Sequence, residues 1–392
     1  MRRLIDLVML LGLCLGVQAQ LARYSVAKSI SHKHFVDSID IEWENRQVYL
    51  PVEIGGKTYR FLFDTGSAQA VIFADRPIPG CVAAGQILSH DAVGASDTVK
   101  MLTLPPIKIG RNTFVGCQAT LQQRAVNGRN IDGIIGFDVV NRGLNAKIDV
   151  RQCRLILTDQ KNFFDDEPGY EVRYKLRYHV PYLIIKPYGR FSESALFDTG
   201  SRHLYAMNRG QFHQMADRVG PAVESQVEGR ALGRSAIGLF GTEPLGEVVF
   251  LNFSRFRFGD CTFTDLHTTT TQGDSHIGAS ILEYGALVIN PQRKRMRFLP
   301  YEQTAEIRVG NPQTEIAFVS DGGRPCVGLV WERGEPFRQG FRQGDIITAI
   351  DGRPVGSFAQ FVSWGFERGR QYRFTVVNRQ GQQREIRWVR LP

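Results

Sequence analysis

The chain has 392 residues, 43% of them hydrophobic and 22% charged, which is too long for one ordinary core and too apolar for a disordered chain, so two or three globular domains are expected. Its net charge is +9, yet the basic residues form no long run, and the densest stretch, "PQRKRMRF" at 291–298, alternates as a strand end does; nucleic acid is therefore not an expected partner. Forty glycines among β-branched and aromatic runs favour a turn-rich, mainly β protein.

The N-terminus, "MRRLIDLVMLLGLCLGVQAQ", places two arginines before an apolar run and small residues at Val17 and Ala19. This predicts a secretory signal peptide over 1–19, cut after Ala19, with a retained membrane anchor as the alternative and Asp6 awkward for either. No later stretch is long and apolar enough to span a membrane, and Leu13 before Cys14 argues against lipidation. Removing the signal leaves Cys81, Cys117, Cys153, Cys261 and Cys326. Their number is odd and none stands in a Cys-x-x-Cys spacing, so no zinc site is expected; one disulfide in the first half and free buried thiols both remain open. His32 and His34 suggest no third ligand, and no metal is expected there.

The chain then writes one pattern twice. "VYLPVEIGGKTYRFLFDTGSAQAVIF" runs from Val48 to Phe73, and "YHVPYLIIKPYGRFSESALFDTGSRHLYAM" from Tyr178 to Met207. Each copy has Pro before a short apolar strand (Pro51, Pro181), a glycine turn (Gly55-Gly56, Gly189) and a second strand running into Asp-Thr-Gly-Ser. The pattern predicts a β-hairpin that delivers a loop at the end of its second strand. A matching segment closes each copy, "DGIIGFDVVNRGLNAKIDVRQCRLIL" at 132–157 and "HIGASILEYGALVINPQRKRMRFL" at 276–299. The two aspartates lie 134 residues apart and Gly136 and Gly278 lie 142 apart, so two duplicated lobes are expected, over 40–163 and 170–302. "FFDDEPGYEV" at 163–172 reads as the linker between them. A third unit, 312–392, begins after "FLPYEQTAEIRVGNPQT".

In Asp-Thr-Gly-Ser the Asp is the acid, Thr and Ser are short hydroxyl donors, and Gly permits a tight turn and close backbone approach. One such loop could be structural or could hold a metal or phosphate. Two on pseudo-symmetric lobes can face each other, and two facing carboxylates share one proton because both cannot easily ionise. The ionised one can then take a proton from water while the protonated one donates to a carbonyl oxygen.

With these residues the chain resembles the pepsin/retropepsin clan of aspartic peptidases, over roughly residues 45 to 300, through "FLFDTGS" with "IIG" and "ALFDTGS" with "HIG". The resemblance implies two retropepsin-like β-barrel lobes fused in one chain, so that a monomer suffices for the site. It implies Asp64 and Asp198 as the catalytic pair, Thr65 and Thr199 interlocking the loops, Gly66 and Gly200 presenting amides to the carboxylates, and Ser67 and Ser201 donating to the outer carboxylate oxygens. Ile134 and His276 would line the cleft. The His276 ring either shapes a subsite or simply packs, and both readings stay open. Flaps would fall near 89–102 and 233–244; neither stretch holds a tyrosine, so a pepsin-like flap tyrosine is absent or displaced.

In the third unit, "EPFRQGFRQGDIITAIDGRPV" resembles a PDZ domain of the kind attached to bacterial proteases, through Gly340, Gly344, Asp345, Ile346, Ile347, Ile350, Asp351 and Gly352. The resemblance implies a strand near "CVGLVWE" that accepts a peptide, with a carboxylate loop around Gly322 to Gly328; a unit that only packs on the lobes is the alternative. Together these readings give an aspartic endopeptidase that needs no cofactor, acts on a peptide or protein substrate, and is secreted or periplasmic in a bacterium. A catalytically inactive peptide-binding protein is the rival.

Overall fold

The computed structural model describes residues 24–26, 29–124, 130–189, 191–367 and 369–389; the expected signal peptide lies outside them. The two repeats fold alike. Gln47–Ile54 and Lys57–Phe63 form an antiparallel hairpin, with Leu50 opposite Phe61. Its turn places Gly55 and Gly56 at φ +58° and +79°, a pair of left-handed residues that explains two glycines in a row. Val180–Tyr188 and Phe191–Asp198 repeat the hairpin around Gly189. In the first copy, Gly133–Ile135 lies parallel to Lys57–Phe63 and antiparallel to Ala70–Phe73. In the second, His276–Gly278 lies parallel to Phe191–Asp198 and antiparallel to Tyr205–Asn208. The glycine-bearing strand thus threads between the strands on either side of each Asp-Thr-Gly-Ser loop.

The closing segments also match. A short helix, Asp138–Asn141, precedes strands Asn145–Asp149 and Arg154–Thr158, and a 3₁₀ turn, Ala279–Glu283, precedes Gly285–Asn290 and Arg295–Pro300. These strands also join the two halves. Asn145–Asp149 pairs with Gly285–Asn290, setting Ala146 opposite Ile289 and Ile148 opposite Leu287. The shared sheet extends to Val36–Asp40 on one side and Tyr170–Arg177 on the other. One buried cluster accordingly runs from Phe61 and Ile148 to Ile289 and Phe298.

This arrangement corrects the expected barrels. Among the described residues the sheets run as open paths; the first goes from Ser29–Ile30 at one end to Val82–His90 at the other. The strands that could have closed it are committed to the sheet shared with the second half. The linker reading also needs amendment, because Phe164 is buried with Ala286, Val288 and Leu299 and Tyr170 already begins a strand.

Two long hairpins stand at the expected flap positions, Val82–His90 with Ser96–Thr103 and Val227–Gly233 with Gly246–Phe253. The C-terminal unit has a separate sheet, in the order Ile316–Asp321, Arg324–Val330, Ile346–Ile350, Gln371–Val377, Gln383–Val389. Its own core is built on Val327, Phe341, Ile350, Phe361 and Phe374. The strand within "CVGLVWE" is not an edge, contrary to expectation: it pairs with Ile316–Asp321 on one side and meets Ile346–Ile350 on the other. Its apolar run reflects burial on both sides, and Ile316–Asp321 lies at the end of the sheet instead. Gly322 and Gly323, at φ +56° and +80°, make the turn between the first two strands. All five described cysteines are free thiols, and Cys117, Cys261 and Cys326 are buried. No helix among the described residues is long and apolar enough to cross a membrane.

Candidate active site

Each Asp-Thr-Gly-Ser loop leaves its strand with the aspartate half-buried or buried, Asp64 the more open and Asp198 8% exposed. The loops close in the same way. Ser67 N donates to Asp64 O at 3.2 Å and Ser201 N to Asp198 O at 3.1 Å. Phe137 N then donates to Ser67 O at 2.8 Å and Ala279 N to Ser201 O at 2.9 Å, so the turn after each threaded glycine holds the loop from behind.

The two loops also hold each other. Thr65 N donates to Thr199 Oγ1 at 3.0 Å, and Thr199 N to Thr65 Oγ1 at 3.1 Å. Each threonine hydroxyl in turn donates across to the opposite strand, Thr65 to Phe197 O at 2.7 Å and Thr199 to Phe63 O at 2.6 Å. Both threonines are fully buried, so these four bonds are shielded from water and an unmade one would be costly.

The glycines complete the exchange. Gly66 N donates to Asp64 Oδ1 and Gly200 N to Asp198 Oδ1, both at 2.9 Å. A methyl group on Gly66 would lie 2.7 Å from Asp198 Cγ, and one on Gly200 2.6 Å from Asp64 Oδ2. Each glycine therefore lies against the carboxylate of the other loop, a separation no larger residue permits. Two residues 134 positions apart in sequence are brought together with their carboxylates on the shared face of the two loops.

Other expected site residues are placed differently. The single hydroxyl hydrogen of Ser67 goes to Gln69 O at 2.7 Å, not to the outer oxygen of Asp64. Ser201 Oγ faces His203 Nδ1 at 3.5 Å and accepts from His203 N at 3.4 Å. In the first loop the local turn after the glycine thus takes up the serine hydroxyl. Ile134 is 3% exposed and packs with Tyr49, Leu62, Val71 and Phe73, so it supports the site from beneath and does not line an open cleft. His276 is half-exposed, with Nδ1 3.1 Å from Asp274 O.

The sequence reading passed over three neighbours. His203, at the position Gln69 holds in the first copy, stacks edge-on to His276 with ring centres 5.9 Å apart. Its side chain is exposed, and crowding by nearby protein, ahead of the His276 and Arg46 charges, lowers its imidazole. Desolvation also lowers His276. Fully buried Gln47 donates to Gly200 O at 2.7 Å and accepts from Arg202 Nε at 3.2 Å. Lining up the two repeats residue by residue would have flagged His203, while Gln47 left no signal in the sequence. No group of three or more His, Cys, Asp or Glu side chains suited to a metal gathers among the described residues.

Residues 50–139 match the aspartyl protease family, with Asp64 and Gly136 inside the matched span. Among curated protein sequences none matches the chain. Solved structures that are similar include basic 7S globulin from soybean, at 10% identity and a TM-score of 0.41, covering 67% of this chain and 94% of that one. The aspartic proteinase from Irpex lacteus is similar at 12% identity and a TM-score of 0.40, covering 68% and 97%.

Proposed function

We propose that this chain is an aspartic endopeptidase in which Asp64 and Asp198 activate a water between them to hydrolyse a peptide bond. The observation that carries this reading is the reciprocal embrace of the loops: Thr65 and Thr199 exchange hydrogen bonds, while Gly66 and Gly200 each press on the opposite carboxylate. Two carboxylates held so near hold one proton between them. The ionised one takes a proton from the water as its oxygen attacks the peptide carbon. The other gives its proton to the carbonyl oxygen; the tetrahedral intermediate then collapses as the first carboxyl passes the proton it took to the nitrogen, which leaves as the amine, and the second takes back a hydroxyl proton. The chemistry needs no cofactor, and one chain supplies both loops. The leader sequence supports export, to the periplasm or medium of a bacterium. The third unit, read as PDZ-like, either recruits a peptide or packs on the other two.

The test is cleavage of a mixed peptide library by the mature chain beside Asp64→Asn, over roughly pH 4 to 8, the range where such a pair changes protonation. Asn keeps the shape but cannot take the proton. The expected result is cutting by the parent, extending into acid, and none by the variant. Peptide binding without cutting by either protein would replace this reading with that of a peptide-binding protein.

A further inference from the structure

The hairpin Val82–Thr103 bridges the two halves. Its base stands beside the first loop, where Gln69 Nε2 meets Met101 Sδ at 3.2 Å. Its tip, Asp91 to Val93, reaches the second half: a methyl group on Gly273 would overlap Ala92 O. Gly273 lies just before the strand His276–Gly278 that threads beside Asp198. The hairpin is therefore a strap running from the surroundings of one candidate catalytic loop to those of the other.

The tip is also tied to a segment of the second half, 234–243. Asp91 Oδ2 accepts from Phe240 N at 3.0 Å, and Gly238 is packed against the same carboxylate. Asp91 Oδ1 meanwhile accepts from Val93 N and Ala95 N, at 3.1 and 2.9 Å, and shapes the tip itself. The segment is no loose loop. Buried Glu243 gathers Ser235 N, Ser235 Oγ and Ala236 N on one carboxylate oxygen. Gly238 N also closes on Gly241 O at 2.8 Å.

On its other side the segment is held by the C-terminal unit. Ile237 packs against that unit's core. Thr242 Oγ1 donates to Ser320 O at 2.9 Å, and Arg234 N to Gly328 O at 2.9 Å. Arg234 pairs with Asp321 at 3.5 Å. Beneath it, Val248 and Phe250 of the second hairpin bury Leu329, and Phe250 lies 5.7 Å from the Trp331 ring. Ile237 faces the C-terminal core, and the backbone three residues on holds the strap.

We infer that the C-terminal unit latches the strap over the candidate cleft through segment 234–243, so that loosening Ile237 from the C-terminal core frees the tip at Asp91. A rigid segment clasped on both faces transmits a change at one face to the other, and a strap tip that loses one of its distal ties loosens there.

The experiment is amide hydrogen exchange over residues 84–100 in the full chain, made in Asp64→Asn so that self-cleavage plays no part. A latch that fails is thereby distinguished from an absent peptidase activity. Ile237→Asn is expected to speed exchange at the strap tip by about tenfold or more, although its own packing partners lie in the C-terminal unit. Asp91→Asn keeps Oδ1 for the tip turn and places an amide donor at Phe240 N. It should speed the tip equally and leave the C-terminal unit unchanged. If Ile237→Asn speeds every segment, the milder Thr242→Val decides, through the tip alone. Faster exchange confined to 234–243 and the C-terminal unit, with the tip as in the parent, overturns the latch.

Discussion

Thr199 shows how much of this site rests on single hydroxyls. Its Oγ1 accepts from Thr65 N and donates to Phe63 O, and its side chain is fully buried. Valine has the same shape but neither function, so Thr199→Val leaves a buried N–H and a buried C=O without partners. Each orphan costs about 1–3 kcal/mol, so denaturant unfolding should show a loss of about 2–6 kcal/mol. Thr199→Ser keeps the oxygen and should lose far less. A loss in Thr199→Ser with little or none in Thr199→Val would mean that the methyl group, not the hydroxyl, matters. The aspartates, threonines and glycines were legible in the sequence because a repeated four-residue word leaves few physical options. The partner of Ser67 was not legible, because a hydroxyl's partner depends on loop geometry a few tenths of an ångström fine. Gln47 and Arg202 were invisible for a related reason: their roles come from a neighbour about 150 residues away.

The strands beneath the second loop are tied by a buried acid. Glu193, on the strand that ends in Asp198, accepts from the Tyr205 hydroxyl and, at 3.2 Å, from Ser275 Oγ. It is 6% exposed, and burial, opposed by the bonds from Tyr205 and Ser275, pushes its carboxyl up to about 7. A carboxyl whose folded value lies above its unfolded value near 4.5 binds more protons folded than unfolded between the two. Its contribution to stability is therefore full below about 4.5 and lost as pH rises to about 7. Glu193→Gln cannot titrate. Relative to the parent it should gain up to about 3 kcal/mol between pH 4.5 and pH 8, read as melting temperatures converging or crossing. Asp138, buried and also raised to about 7, is common to both proteins and cancels in the difference. A constant gap across that range would show that Glu193 is ionised throughout. At this scale the paired hairpins were readable, since glycine turns and apolar strands set them locally. The interior position of Arg324–Val330 was not, because an apolar run tells that a strand is covered and not by which neighbours.

At the scale of the molecule, the halves are joined by more than the loops. The strands Asn145–Asp149 and Gly285–Asn290 pair directly, and each also pairs within its own half, with Arg154–Thr158 and Arg295–Pro300. Neither half can open without exposing a strand edge of the other and breaking the buried cluster they share. The duplication in the sequence points to two independent lobes, because repeats report ancestry of segments and not where their last strands dock. Sheet pairing over such sequence distances leaves no local signature. The shared sheet couples its own strands into one cooperative unit, so native-state hydrogen exchange should give the amides of 145–149 and 285–290 a common opening free energy, within about 0.5 kcal/mol. A gap above about 1 kcal/mol would mean that the halves open separately and that the sheet is only a contact between them. A common value has a consequence for the site, since the Thr65–Thr199 bonds would then break only when both halves unfold. The loops would face each other whether or not substrate is bound, and preorganisation of that kind favours a charge-developing reaction because nothing has to reorganise at the moment of attack.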